Sequence, residues 1–258
     1  MKFIGLVFDY DLGKLSSIGR KWAGDIYRNK YRIFEYSAAS IASVLHTNPQ
    51  TEYRVYTDDV DFLFERVSEY NVPTNNLTLI DWSSNLEEWK QHRYPFYCLM
   101  MLMKHNCFIG KEDIVKLDND LICKREFLPN MTSNTSITWK FEGMVCDGDE
   151  RTGEKHIAQV ALGDTNFSRY NMGVLGLCKD DHYLIDDVIS ICEQLVNVDI
   201  SKITDVDSSI YHCCEQTAYN WIFHKNNFSV IQSYDVFDHY FADKSNCIMA
   251  MSNMRIHT

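Results

Sequence analysis

Nowhere in this chain do enough apolar residues follow one another to cross a bilayer, so no membrane-spanning helix is expected. The opening, Met1-Lys2-Phe3-Ile4-Gly5-Leu6-Val7-Phe8-Asp9, is too short for a signal-peptide core and carries no cleavage-site pattern. It reads as a first β-strand, Phe3–Phe8, ending in an acid. Basic residues are scarce: 25 Lys and Arg against 36 Asp and Glu give a net charge of −11. A broad electrostatic grip on nucleic acid is therefore excluded, because such binding needs clustered cations. The nine cysteines form no C-x-x-C pair. An odd count with no zinc spacing predicts reduced thiols and a cytoplasmic protein. The five N-x-[ST] sequons, at Asn76, Asn130, Asn134, Asn166 and Asn227, are then chance matches. Internal repeats, low-complexity runs and interdomain linkers are also missing, so the 258 residues predict one domain. Its 45% hydrophobic content supplies a real core.

What is present is an alternation of strand and helix patterns. Strands are expected at Tyr53–Tyr56, Leu77–Ile80 and Ile114–Leu117. Helices are expected at Arg32–Leu45, Val60–Tyr70 and Tyr94–His105, and residues 11–30 look like a loop or short helix. Asn48-Pro49 stops the first helix, whose small residues Ser37, Ala38, Ala39, Ser40 and Ala42 suit close packing on a sheet. This order predicts an α/β fold with a mostly parallel, Rossmann-like central sheet flanked by helices. The second half is more mixed. Strands are expected at Ser136–Phe141, Tyr170–Leu177 and Phe228–Gln232, helices at Asp180–Val196 and Glu215–His224, and a loop at Cys146–His156. Residues 1–122 then form a nucleotide-binding half and 123–258 an acceptor half.

The most informative stretch is Ile114-Val115-Lys116-Leu117-Asp118-Asn119-Asp120. A buried strand runs into two carboxylates spaced i, i+2, at the strand end where open α/β sheets collect ligands. Such a pair suits one hard cation shared with substrate phosphates, although an Asp pair also simply opens turns. Lys116 lies on the same side as the pair by strand alternation, either as their partner or as a substrate contact.

Four segments occur in order: Tyr56-Thr57-Asp58-Asp59, Leu117-Asp118-Asn119-Asp120, Tyr170-Asn171-Met172-Gly173-Val174 and Cys213-Cys214-Glu215-Gln216-Thr217-Ala218-Tyr219-Asn220. A fifth, Asp238-His239-Tyr240-Phe241-Ala242-Asp243-Lys244, lies near the C-terminus. Together they resemble glycosyltransferases of the GT-A fold, most like the retaining glycogenin and lipopolysaccharide-galactosyltransferase type (glycosyltransferase family 8-like). The resemblance spans about residues 3–245, with 11–30 as an insertion. It implies Mn²⁺ or Mg²⁺ held by Asp118, Asp120 and His239 on the diphosphate of a nucleotide-sugar, a UDP-sugar in the first instance. It implies a diphosphate contact at Lys244, in the C-terminal motif, and base or ribose contacts at Asp9 and Asp58. It places Asn171 towards the sugar, Gly173 where the backbone approaches it, and Gln216 on the reacting face with Glu215 beside it. Arg93 is the weakest match, since it stands farther from Asp118 than the pattern asks. The C-terminal motif departs from the family: Ala242 replaces a glycine, Lys244 comes one residue early, and Ser245-Asn246 replaces Pro-Trp. Glu215 stands where the family has Asp.

Partners implied are a nucleotide-sugar and a glycan or glycoprotein acceptor. The residues alone leave other readings open. Glu215 can be a helix-start acid complementing the macrodipole, Gly173 a strand bulge, and Asp58 or Asp9 a cap. A phosphohydrolase or nucleotidyltransferase could use the same Asp pair, and a carbohydrate-binding relative could lack catalysis. Of the tryptophans, Trp221 reads as core, while Trp82 and Trp89 sit in a polar stretch suited to stacking on a sugar.

Overall fold

The computed structural model describes residues 1–7, 30–83, 111–145, 152–201, 214–240 and 245–256. Asp9, Trp89, Arg93, Lys244, the region 11–29 and the expected helix Tyr94–His105 lie outside the described residues. Eleven strands are described: β1 Lys2–Val7, β2 Tyr53–Thr57, β3 Leu77–Asp81, β4 Ile114–Leu117, β5 Leu121–Cys123, β6 Thr135–Thr138, β7 Phe141–Met144, β8 Ser168–Tyr170, β9 Val174–Leu177, β10 Ser229–Gln232 and β11 Phe237–His239. The α-helices are α1 Lys30–Thr47, α2 Val60–Ser68, α3 Thr152–Leu162, α4 Leu184–Val196, α5 Cys214–Lys225 and α6 Ser245–Ile256.

Seven strands form one sheet in the order β10-β6-β9-β4-β1-β2-β3. The β1–β2, β2–β3, β1–β4 and β6–β10 pairs are parallel, and β9 runs antiparallel to both β4 and β6. The mostly parallel α/β sheet expected from the sequence is what forms, and strands from both halves of the chain build it. Alternation along β4 explains its placement. Ile114 faces the core on the α4–α5 side of the sheet, whereas Val115 and Leu117 face the core on the α1–α2–α6 side. Lys116, with the parity of Ile114, is thereby sent towards α5.

Local chemistry sets the helix ends. Asp59 caps α2, its Oδ1 accepting from the Phe62 N–H at 3.1 Å, and Leu63 and Val67 turn inward. The small residues of α1 are buried, and Ser43 Oγ accepts the Cys123 N–H at 2.9 Å, so β5 approaches the helix closely. Phe62 and Phe34 meet edge to face across α1 and α2.

Several expected boundaries differ. The stretch 152–156, expected within a loop, opens α3. Its helix is held by tertiary contacts, with Ile157 and Ala158 buried and Glu154 paired to Arg169. Ser136–Phe141 is not one strand: the chain leaves the main sheet after Thr138, and β7 pairs antiparallel with β8. Tyr170–Leu177 is likewise split, because Asn171–Gly173 turns out of the β7–β8 pair before β9 joins the main sheet. The expected helix Asp180–Val196 begins as a 3-10 turn, Lys179–Asp181, and becomes α-helical at Leu184. The β5–β11 pair and α6 had no counterpart in the sequence reading. No described helix is long and apolar enough to cross a membrane.

Candidate active site

Asp118 and Asp120 occupy the link between β4 and β5. Two backbone bonds fix that link on both sides: Asp118 N–H donates to the Gly173 C=O at 2.8 Å, and Tyr240 N–H donates to the Asp120 C=O at 2.9 Å. The antiparallel β5–β11 pair sets His239 opposite Leu121, one residue past Asp120. The imidazole is thereby delivered to the pair: His239 Nε2 is 3.0 Å from Asp120 Oδ1 and 3.9 Å from Asp118 Oδ2. One ligand atom from each of the three residues lies within 4.8 Å of the others. Behind the imidazole stands Trp139, its ring perpendicular to that of His239 at 5.0 Å and its Nε1–H bonded to the Phe237 C=O at 2.9 Å.

The donor set fits a divalent ion. Two carboxylates and one imidazole each offer one ligand atom to such an ion. His239 Nε2 and Asp120 Oδ1 are at hydrogen-bond separation, 3.0 Å, close enough that both could reach one ion.

Lys116 joins this cluster from below. Its Nζ donates to the Met172 C=O at 3.0 Å and contacts Asp118 Oδ1. Burial works against its charge, but the carboxylates of Asp118, Glu215 and Asp120 more than offset this and raise its pKa. Glu215 is buried in the first turn of α5, and its Oε1 has no hydrogen-bond partner among the described residues. Burial pushes its carboxyl up to about 7, against the pull of the Lys116 ammonium and with a further push from Asp118.

The segment Tyr170–Gly173 is held by α5. Asn220 clasps Tyr170, its Oδ1 accepting the backbone N–H at 3.1 Å and its Nδ2 donating to the C=O at 3.0 Å. One turn earlier, Gln216 Oε1 accepts the Met172 N–H at 3.1 Å. Asn171 is engaged on both ends of its amide, Oδ1 accepting from Gly173 N–H and Nδ2 donating to Glu142 Oε1, each at 2.9 Å. Glu142 contacts Arg169, whose Nε also donates to Glu154, which in turn accepts from the Thr217 hydroxyl at 2.7 Å. This chain, Asn171–Glu142–Arg169–Glu154–Thr217, buried from Arg169 onward, ties the turn to the start of α5.

Gly173 has a packing reason to be glycine: the room a Cβ would fill is taken by the His239 imidazole. Asp58 directly follows β2, on the same carboxyl edge of the sheet as Asp118. Trp82 packs edge to face on Tyr56 at 5.2 Å, and Trp221 packs against the core. Glu142, Arg169 and Glu154 were not singled out by the sequence.

No family model matches the sequence, and no curated protein matches it. Solved structures do match in shape. The galactosyltransferase LgtC, solved with donor and acceptor sugar analogues, superposes with a TM-score of 0.54 at 12% identity, covering 98% of this chain and 96% of its own. The bifunctional glycosyltransferase WbbM superposes with a TM-score of 0.52 at 11% identity over 98% of this chain. This chain spans only 44% of WbbM. The fold is thus the one these glycosyltransferases share, GT-A.

Proposed function

We propose that this chain is a metal-dependent glycosyltransferase, moving a sugar from a nucleotide-sugar, a UDP-sugar, to a hydroxyl of a glycan or protein. The observation that carries the reading is the meeting of Asp118, Asp120 and His239 at the carboxyl end of β4 on a GT-A sheet. Ligands gather at that edge in open α/β folds. Asp118, Asp120 and His239 would hold Mn²⁺ or Mg²⁺. When bound, such an ion supplies Lewis-acid stabilisation of the negative charge that develops on a departing diphosphate.

The remaining roles belong to this chain's own side chains. Asp58, on the same edge, faces the nucleotide, with Asp9 and Lys244 as further contacts carried over from the family resemblance. Asn171 and Gln216 meet the sugar. Their match to the retaining type favours retention of the anomeric configuration. Gln216 also fixes the Met172 backbone and so sets the floor of the sugar site. Glu215 and Lys116 balance charge beneath it. Residues 1–122 would take the nucleotide and residues 123–258 the acceptor.

The test is incubation of the protein with a set of nucleotide-sugars, with and without Mn²⁺, followed by product analysis. Slow, Mn²⁺-dependent release of nucleoside diphosphate supports the reading. Pyrophosphate release would assign a nucleotidyltransferase, phosphate release a phosphohydrolase, and no release with any donor a binding protein.

A further inference from the structure

Lys116 is an unusual neighbour for a cation site. Its strand lies between β1 and β9, and its side chain is only 9% exposed. Its ammonium is anchored at 3.0 Å to the Met172 C=O, and the N–H of that same residue is held by Gln216. It is therefore held beside the cluster rather than out in solvent. The contact on Asp118 Oδ1 leaves Oδ2 as the oxygen facing His239. Asp118 is divided: one oxygen answers to a resident positive charge, the other is turned to the ligand cluster. Lys116 cancels one of the two negative charges that Asp118 and Asp120 bring to the cluster, so these three residues offer a divalent ion less negative charge than the carboxylates alone would, with Glu215 buried beneath rather than among the ligand atoms.

We propose that Lys116 is a fixed internal counter-ion that keeps the Asp118–Asp120–His239 site weak for a divalent ion alone and makes strong binding conditional on an anionic diphosphate. The inference rests on the reading of this cluster as the metal site and adds a built-in coupling between ion and nucleotide. A diphosphate brings the missing negative charge, so each ligand raises the affinity for the other by the same factor. The ammonium thereby acts as a filter: the site loads the ion–nucleotide complex in preference to a free ion.

The experiment is a titration with Mn²⁺, free ion being followed by its electron paramagnetic resonance signal, in the presence and absence of UDP. It is run on the wild-type protein, Lys116→Gln and Lys116→Met, each checked for folding by circular dichroism. The glutamine variant keeps a donor for the Met172 C=O while removing the charge. Wild type should bind Mn²⁺ weakly alone and about tenfold or more tightly with UDP. Both variants should bind Mn²⁺ alone about tenfold more tightly than wild type, and UDP should add correspondingly less. Tight binding of Mn²⁺ by wild type without UDP overturns the inference, even if neither variant folds. So does an unchanged or weaker affinity for Mn²⁺ alone in a folded variant; if wild type still binds Mn²⁺ with UDP, the metal site itself stands. Failure of all three proteins to bind Mn²⁺ under either condition removes both the metal site and the inference.

Discussion

The imidazole of His239 lies against the backbone of Gly173: a Cβ built on that glycine would fall 2.7 Å from Cε1 and 2.9 Å from Nδ1. Both are closer than carbon and its neighbours tolerate, and the obstacle is a ring wedged against Trp139 rather than the end of a flexible chain. The glycine is needed for space.

Gly173→Ala should therefore displace His239 from Asp120 while leaving the sheet intact. Disturbing the support of a metal ligand commonly lowers affinity by about tenfold to a hundredfold. Mn²⁺ titration in the presence of UDP, beside a thermal melt, reads this directly. An unchanged affinity in a folded protein would show that His239 is no ligand.

Asp118→Asn should abolish Mn²⁺-dependent donor turnover. It should also lower stability, because the buried Lys116 ammonium loses the carboxylate it contacts. Breaking a fully buried pair costs about 3–5 kcal/mol. Asp118 is 36% exposed, so a smaller loss of about 1–2 kcal/mol is expected here. Urea unfolding measures it. Adding Lys116→Met should restore stability without restoring turnover, and turnover that survives Asp118→Asn removes this residue from the chemistry.

Glu215 makes the metal-free protein pH-sensitive in a defined direction. Its carboxyl is raised from 4.5 to about 7 on folding. Between those values the folded state holds more protons than the unfolded one, so stability is highest below pH 4.5 for this group and falls as pH rises through 7. The full span is on the order of 3 kcal/mol. Urea unfolding in a chelator across this range should show wild type losing stability relative to Glu215→Gln. Parallel profiles for the two proteins would mean that Glu215 is ionised at no cost.

Asn220→Ala should destabilise by about 2–3 kcal/mol, since it strips the Tyr170 N–H and C=O of their partners together, and Asn220 itself is buried. Asn220→Asp keeps the acceptor for the N–H but turns a carboxyl oxygen on the Tyr170 C=O, so it should destabilise as well, and more so at high pH, where the buried carboxyl is ionised. Equal melting temperatures for all three would show that the Tyr170 backbone finds other partners.

How much of this was legible in the sequence differs from residue to residue. Asp118 and Asp120 were legible because β4 is a short apolar run that ends in carboxylates, a local pattern whose position in a parallel sheet follows from the order of elements. Lys116 was legible as a neighbour by alternation, but its bond to the Met172 C=O spans 56 residues and had no local trace. His239 was reached only through a family pattern, for β11 is three residues long and its partner β5 is as short. The start of α3 read as loop because Gly148 and Gly153 flank it among charged residues, and the Glu154–Arg169 pair that anchors its first turn spans 15 positions and leaves no local trace. Glu142 gave no signal at all: a single acid in a half-exposed strand acquires meaning only when Arg169 and Asn171 close on it.

The β5–β11 ribbon has a kinetic corollary. Asp120 and His239 are 119 positions apart, so their meeting closes one of the longest loops in the molecule. Loop closure of that kind is entropically late. A ribosome would have to deliver the chain past residue 239 before the cluster could exist, and the ribbon, with only three residues on each side, is a natural place for the folded protein to fray first. Amide hydrogens of Phe237–His239 should then exchange ahead of those of β4, unless a cation and nucleotide hold the two ends together.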